Sequence, residues 1–287
     1  MLQGVKYGEI FLRRKKQNRL QHRRSRTMKQ EMMTIVEQKQ LAPRIFRMTL
    51  TGELVNEMGI PGQFLHIKVP REDFLLRRPI SINQINKEEK TCSIIYRTEG
   101  DGTLHFSKMS AGEQLDVMGP LGNGYDLSFL EAGQKAFVVG GGIGIPPMYE
   151  LSRQLHQKGI EVVHFLGYAS KEVSYYQEEF IALGDTRFAT DDGSYGVHGN
   201  VGNLLMDAME KETPAAVFAC GANGMLKTVA QLFEENSNVF LSLEQRMACG
   251  MGACYACVCH VPDDETGTQS VKVCDEGPIF RAKEVVL

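Results

Sequence analysis

Lys135-Ala136-Phe137-Val138-Val139-Gly140-Gly141-Gly142-Ile143-Gly144-Ile145-Pro146-Pro147 is where the chain changes its grammar. Four apolar residues run without alternation, the mark of a strand buried on both faces and hence of a parallel sheet. Glycines follow at once, and two prolines open a predicted helix over 148–158, a place where proline costs no hydrogen bond. Glycines between a strand end and a helix start let backbone close on a pyrophosphate. The dinucleotide fingerprint G-x-G-x-x-G is not met, because Ile145 stands where its third glycine belongs. Gly140, Gly141, Gly142 and Gly144 therefore read as phosphate-binding candidates of a less common kind.

Downstream the alternation continues. Strands are predicted at 161–166, 187–189, 216–219 and 239–242, and helices at 175–183, 201–209 and 225–234. Such a run is a parallel α/β sheet whose ligand loops gather at the strand C-termini. Three loops are rich in turn residues: 140–144, 191–194 with Asp192, and 220–224 with Cys220 and Gly221. Cys220 reads equally as a thiol near a nicotinamide and as a buried strand-end residue. Only Lys171, beside Ser170, could meet a ribose phosphate after the second strand, which favours NAD over NADP.

Upstream the pattern is different. Predicted strands at 34–39, 45–50, 63–69, 80–82, 91–96 and 114–118 are short, partly alternating and separated by Gly, Pro and Asn turns, which reads as an antiparallel β-barrel. It contains Arg77-Arg78-Pro79-Ile80-Ser81, where a guanidinium beside a rigid proline can hold a pyrophosphate and a hydroxyl can meet a ring edge. Gly100-Asp101-Gly102-Thr103 offers backbone N–H groups at the start of a short helix.

The far end of the chain carries five of the seven cysteines. Cys249, Cys254 and Cys257 are spaced C-x4-C-x2-C, and Cys274 follows after a gap, the pattern of a plant-type two-iron cluster. Gly250, Gly252, Ala253 and Ala256 leave room for a tight loop whose N–H groups can face sulfur. Structural zinc tends to show two C-x2-C hooks, and only Cys254 and Cys257 make one. Disulfides need an oxidising compartment, and no secretory signal is read. The spacing favours iron–sulfur over both. Cys259 is left over and reads as a small buried hydrophobe.

Charge is unevenly spread. Nine of the 32 Lys and Arg, but one of the 35 Asp and Glu, fall within residues 1–27, which leaves an acidic body of 23 basic against 34 acidic residues. That body offers no basic face for nucleic acid, and no apolar run reaches the length of a membrane span. The arm is expected to be disordered and without function; a nucleic-acid or membrane tail and a transit segment are the other readings its composition allows.

Arg-Pro-Ile-Ser in a barrel, then Gly-Gly-Gly-Ile-Gly-Ile-Pro-Pro, then Cys-Gly-Ala-Asn-Gly-Met, resemble in that order the ferredoxin–NADP reductase superfamily. The trailing Cys-Gly-Met-Gly-Ala-Cys-Tyr-Ala-Cys-Val-Cys-His narrows the resemblance to the electron transfer subunits of class 1B dihydroorotate dehydrogenases, from about residue 32 onward. The resemblance implies a multi-domain β plus α/β protein: an arm at 1–31, an FAD-binding barrel at 32–131, an NAD-binding α/β domain at 132–244 and a [2Fe-2S] subdomain at 245–287. It implies that Arg78, Pro79, Ile80 and Ser81 contact FAD, with Ile95, Tyr96, Arg97, Gly102 and Thr103 completing the site. It makes Cys249, Cys254, Cys257 and Cys274 the cluster ligands. It further implies a cytoplasmic heterotetramer with an FMN-containing catalytic subunit that oxidises dihydroorotate to orotate in pyrimidine synthesis. Electrons would run from FMN through the cluster and FAD to NAD+. The alternative is a flavin/iron–sulfur reductase subunit of a hydrogenase, sulfide or ferredoxin system.

Overall fold

A computed structural model describes residues 28–262, 264 and 266–287. The basic stretch 1–27, and with it the expectation of a disordered arm, lies outside the described residues.

The first unit is a closed barrel of six antiparallel strands: β1 (Lys29–Ala42), β2 (Ile45–Thr51), β3 (Phe64–Ile67), β4 (Arg78–Asn86), β5 (Thr91–Arg97) and β6 (Gln114–Leu121), in the order β1-β2-β5-β4-β3-β6. Strand β1 starts at Lys29, which pairs with Gly119, so residues 29–31 are strand rather than the end of an arm. Its length was hidden because register breaks at Ile35/Glu37 and Gln40/Ala42 interrupt the alternation; they also let one strand pair with β6 and then β2. Inward residues such as Met33, Met48, Leu65, Ile67, Ile94 and Val117 fill the barrel. Alternation along β3 therefore turns Phe64 and His66 outward, and both are buried there by the rest of the molecule.

The second unit is a seven-stranded sheet ordered β10-β9-β8-β7-β11-β12-β15, the last being Ile279–Arg281. Parallel strands β7 (Lys135–Gly141), β8 (Glu161–Tyr168), β9 (Asp185–Thr190), β10 (Val197–His198), β11 (Ala216–Cys220) and β12 (Val239–Ser242) alternate with helices Pro146–Gln157, Gln177–Ile181, Val201–Met209 and Asn223–Leu232. The helix expected over 175–183 is shorter because Tyr176 takes a left-handed φ of 65°, which a helix cannot continue through. The units are clamped together at Ile85: its N–H donates to Glu150 Oε2 at 3.1 Å, and its carbonyl accepts from Arg153 Nη1 at 3.2 Å. Both side chains come from helix Pro146–Gln157, so the barrel is hydrogen-bonded directly to the helix that follows the glycine loop.

The last segment forms the hairpin β13 (Val258–His260) and β14 (Ser270–Lys272), then returns as β15 (Ile279–Arg281). Strand β15 pairs antiparallel with β12, so residues beyond 245 complete the sheet of the α/β unit. No helix among the described residues is long and apolar enough to cross a membrane.

Candidate redox site

The ligand loop is built by glycines in left-handed conformation, Gly250 at φ 69° and Gly252 at φ 76°, which turn backbone N–H groups inward. Cys249 Sγ receives the N–H of Met251 at 3.5 Å and that of Cys254 at 3.4 Å, and lies 3.3 Å from Cys254 Sγ. Cys274 Sγ receives the Gly252 N–H at 3.2 Å, while the Cys274 N–H reaches Cys257 Sγ at 3.5 Å. The four thiols thus fall into two contacting pairs, 249 with 254 and 257 with 274. Lys272 Nζ ties the loop from outside, donating to the Gly252 carbonyl at 2.7 Å.

Electrostatics follow this geometry. Burial pushes the Cys249 thiol up, but the amides of Met251 and Cys254, the Cys254 thiol and the Ala253 amide outweigh it and bring the pKa down to about 7. Burial and the neighbouring Cys257 thiol push Cys274 up to about 12. Among the described residues no three His, Cys, Asp or Glu side chains close on a single point as ligands of one ion would. Two thiol pairs with amides aimed at sulfur fit a two-iron cluster, in which each iron takes two of the four thiolates. Cys259 is buried, touched by Gln245 Nε2 at 3.5 Å, and raised by burial.

On the barrel, the two adjacent arginines have different tasks. Arg77 is committed to structure, pairing with Asp116 at 2.8 Å and donating to the Asp116 carbonyl at 2.9 Å. Arg78 donates to the Leu76 carbonyl at 2.6 Å and lies against Gly102, where an added β-carbon would stand 2.6 Å from Nε. Gly102 and Arg78 are therefore brought together, with Thr103 beside them accepting from the Glu99 and Gly100 amides at 3.2 and 3.4 Å. Pro79, Ile80 and Ser81 continue along β4, half-buried. Strand β5 splits its three candidates. Ile95 packs toward the α/β unit, while Tyr96 turns into the barrel, edge-on to Phe106 and donating to Gln38 Oε1 at 2.8 Å. The Tyr96 ring is thus not on the Arg78 surface. Arg97 is exposed and paired with Glu99.

The loops expected to receive the nucleotide lie at the C-terminal edge of the sheet. Gly140 and Cys220 are register partners on β7 and β11, and Gly141 and Gly221 both pack on Met225. Asp192 follows β9, two strands away, where it binds the Ser194 hydroxyl at 2.6 Å and the Ser194 amide at 3.0 Å. Burial pushes Cys220 up to about 12, opposed by a hydrogen bond with Ser242. Two contributors carried no motif. Tyr175 donates to the Gly142 carbonyl at 2.9 Å and lies close enough to Arg97 to feel its charge, linking this loop to the barrel. His66 is completely buried, and its ring packs on Gly250 of the ligand loop. In sequence it was only one polar residue among apolar neighbours on β3.

Residues 244–286 match the iron-sulfur cluster binding domain of dihydroorotate dehydrogenase B, and residues 138–231 match the oxidoreductase NAD-binding domain. A protein of Enterococcus faecalis named dihydroorotate dehydrogenase B (NAD(+)), electron transfer subunit, is 69% identical over 260 residues, covering 90% of this chain and 99% of that relative. A protein of the same name from Streptococcus thermophilus is 51% identical over 257 residues, covering 90% and 98%. Among solved structures, one described as an NADH-dependent reduced ferredoxin-NADP oxidoreductase matches with a TM-score of 0.78 at 26% identity, over 89% of this chain and 90% of that one. A Neisseria gonorrhoeae ferredoxin NADP+ reductase with bound FAD and NADP shares the fold, with a TM-score of 0.61 at 16% identity over 72% of this chain and 92% of that one.

Proposed function

The chain belongs to the family of dihydroorotate dehydrogenase B (NAD(+)) electron transfer subunits, and from that premise we propose the route its electrons take. It receives them from an FMN-containing catalytic subunit that oxidises dihydroorotate to orotate, and delivers them to NAD+ during pyrimidine synthesis. The chain is an oxidoreductase subunit equipped for an iron–sulfur cluster, FAD and NAD. When bound, the flavin supplies the exchange between hydride pairs and single electrons, and the cluster supplies single-electron passage.

The chain's own residues provide the holding. Cys249 and Cys254 take one iron and Cys257 and Cys274 the other, with the loop amides fixing the sulfurs. Arg78 meets the flavin pyrophosphate, and Gly102 keeps that guanidinium's place clear. Ser81, Ile95, Arg97 and Thr103 would complete the flavin's site, and Tyr96, whose ring is turned into the barrel, would contribute through its backbone. Gly140, Gly141, Gly142 and Gly144 accept the NAD pyrophosphate, with Cys220 and Gly221 beside it and Asp192 toward the ribose end. The complex is a heterotetramer of two subunits of each kind, and it works in the cytoplasm.

The observation that carries this reading is the pairing of three loop thiols and Cys274 at a loop that rests on His66 of the barrel, directly across the β3–β4 ladder from Pro79. Anaerobic purification with the catalytic subunit, followed by a visible spectrum and flavin, iron and NADH analysis, tests it. FAD and two irons per chain, with NAD+ reduced by dihydroorotate, are expected. A colourless protein, or a complex whose NADH oxidation ignores orotate, would refute the reading.

A further inference from the structure

The ring of His66 is fully buried, yet neither of its nitrogens has a well-formed hydrogen bond. A neutral imidazole carries one donor and one acceptor, and burying both unmet is unfavourable. Such a site persists when a partner is gained in the working state or when the position itself matters. The surroundings identify the partner. Gly250 sits so close that a β-carbon there would stand 2.4 Å from Nδ1, and its φ of 69° already demands glycine. Burial and the Arg77 charge lower the ring's pKa to about 4, so it carries a single proton, and that shift is opposed from nearby by the backbone carbonyls of Arg77 and Cys249. One belongs to the ligand loop, the other to the strand end bearing Arg78.

We propose that His66 is a positioning residue: through a hydrogen bond to the Cys249 carbonyl it seats the ligand loop on β3 and so sets the spacing between the cluster and the flavin. The inference rests on the cofactor reading above. Strand β3 is a firm base for this task. His66 pairs with Pro79 on one side and Met118 on the other, and its own carbonyl accepts from Arg77 Nη1 at 3.3 Å. Arg77 is in turn anchored on Asp116 at 2.8 Å. A loop seated on this strand inherits its rigidity, and electron transfer between two fixed groups falls steeply as their spacing grows. The role places neither electron nor proton on His66; each electron leaving one redox group arrives at the other.

The test uses the full chain purified anaerobically with its catalytic partner, as wild type, His66→Leu and His66→Gln. FAD and iron content, the EPR g values of the reduced cluster, the rate of flavin reduction by NADH and the subsequent rate of cluster reduction are measured. Leu keeps bulk and loses the polar contact: flavin reduction stays unchanged, the g values shift, and flavin-to-cluster transfer slows about tenfold or more, the usual scale for outer-shell partners. Gln, which can still donate to a carbonyl, restores most of that rate. Should His66→Leu not fold, His66→Asn, whose amide stops short of the loop, takes its place. Wild-type g values and rates in the Leu or Asn variant would overturn the proposal, as would a Gln variant no faster than Leu. Wild-type protein without FAD would sink the cofactor reading itself, and this inference with it.

Discussion

Gly144 lies against Cys220 so closely that a β-carbon on the glycine would stand 2.3 Å from the Cys220 carbonyl oxygen and 2.6 Å from the Gly221 nitrogen. Both obstacles are backbone, which cannot swing aside as a side-chain tip can. The two loops proposed to receive NAD are therefore one surface, and a single methyl group would pry them apart.

Gly144→Ala is expected to cost about 1–3 kcal/mol of stability, the range for overpacking a well-filled site. NADH should bleach the flavin only at much higher concentration, with FAD and iron content unchanged. A thermal melt and an NADH titration of flavin absorbance check this. Unaltered NADH affinity would remove these loops from the nucleotide site.

The two barrel arginines should separate cleanly. Arg78→Ala strips FAD while leaving the iron absorption, because the pyrophosphate loses its charge-assisted partner. Arg77→Ala removes the charge partner of Asp116 and one donor each from the Asp116 and His66 carbonyls, so it lowers the melting temperature whether or not FAD is added. Spectra of desalted protein and melts with and without FAD distinguish the two.

Serine at Cys249, Cys254, Cys257 or Cys274 should each remove or destabilise the cluster, since an alkoxide is a poor substitute for thiolate on iron. Cys259→Ser should retain it, at a modest stability cost for a hydroxyl in an apolar site. Iron analysis and visible absorption read the outcome. Cluster loss in Cys259→Ser with retention in Cys274→Ser would mean that a different set of four sulfurs holds the iron.

Stability should also depend on His164, which bridges Ser152 and Thr186 through contacts of 3.0 Å each. Burial drives its pKa from 6.5 down to about 3. Below pH 6.5 the unfolded chain takes up a proton that the folded chain refuses until about pH 3. The contribution is therefore complete above the upper value and is lost as pH falls, at up to about 1.4 kcal/mol per pH unit. His164→Gln should be less stable at pH 7 but lose less between pH 7 and pH 5, as denaturant melts at the two values would reveal.

What could be read in advance follows from how local each signal is. The run 136–139 is hydrophobic on both faces, and it is a central strand of the sheet. The strand at 239–242 and the helix at 201–209 match their patterns residue for residue. The cysteine spacing put three thiols in one loop because ligand geometry is itself local. Strand β15 escaped notice: Ile279-Phe280-Arg281 is too short to show a period, and its partner lies about forty residues earlier in the chain. Glu150 reads as an ordinary helix carboxylate until the barrel backbone meets it. His66 is the same case, since periodicity reports that a face is covered but not by what.

Strand β15 also settles how this protein can be taken apart. Cutting the chain after residue 244 would remove the cysteine segment, but it would also uncover β12 from Phe240 to Ser242, with Phe240 and Leu241 on an open edge. An uncovered edge recruits other chains. The truncated flavin and nucleotide units would stick to one another rather than persist as a tidy diaphorase. Expression of the iron-binding portion by itself would fare no better, lacking the sheet against which its final strand is laid. Through this one strand the cysteine segment and the parallel sheet become a single folding unit, to be kept or lost together.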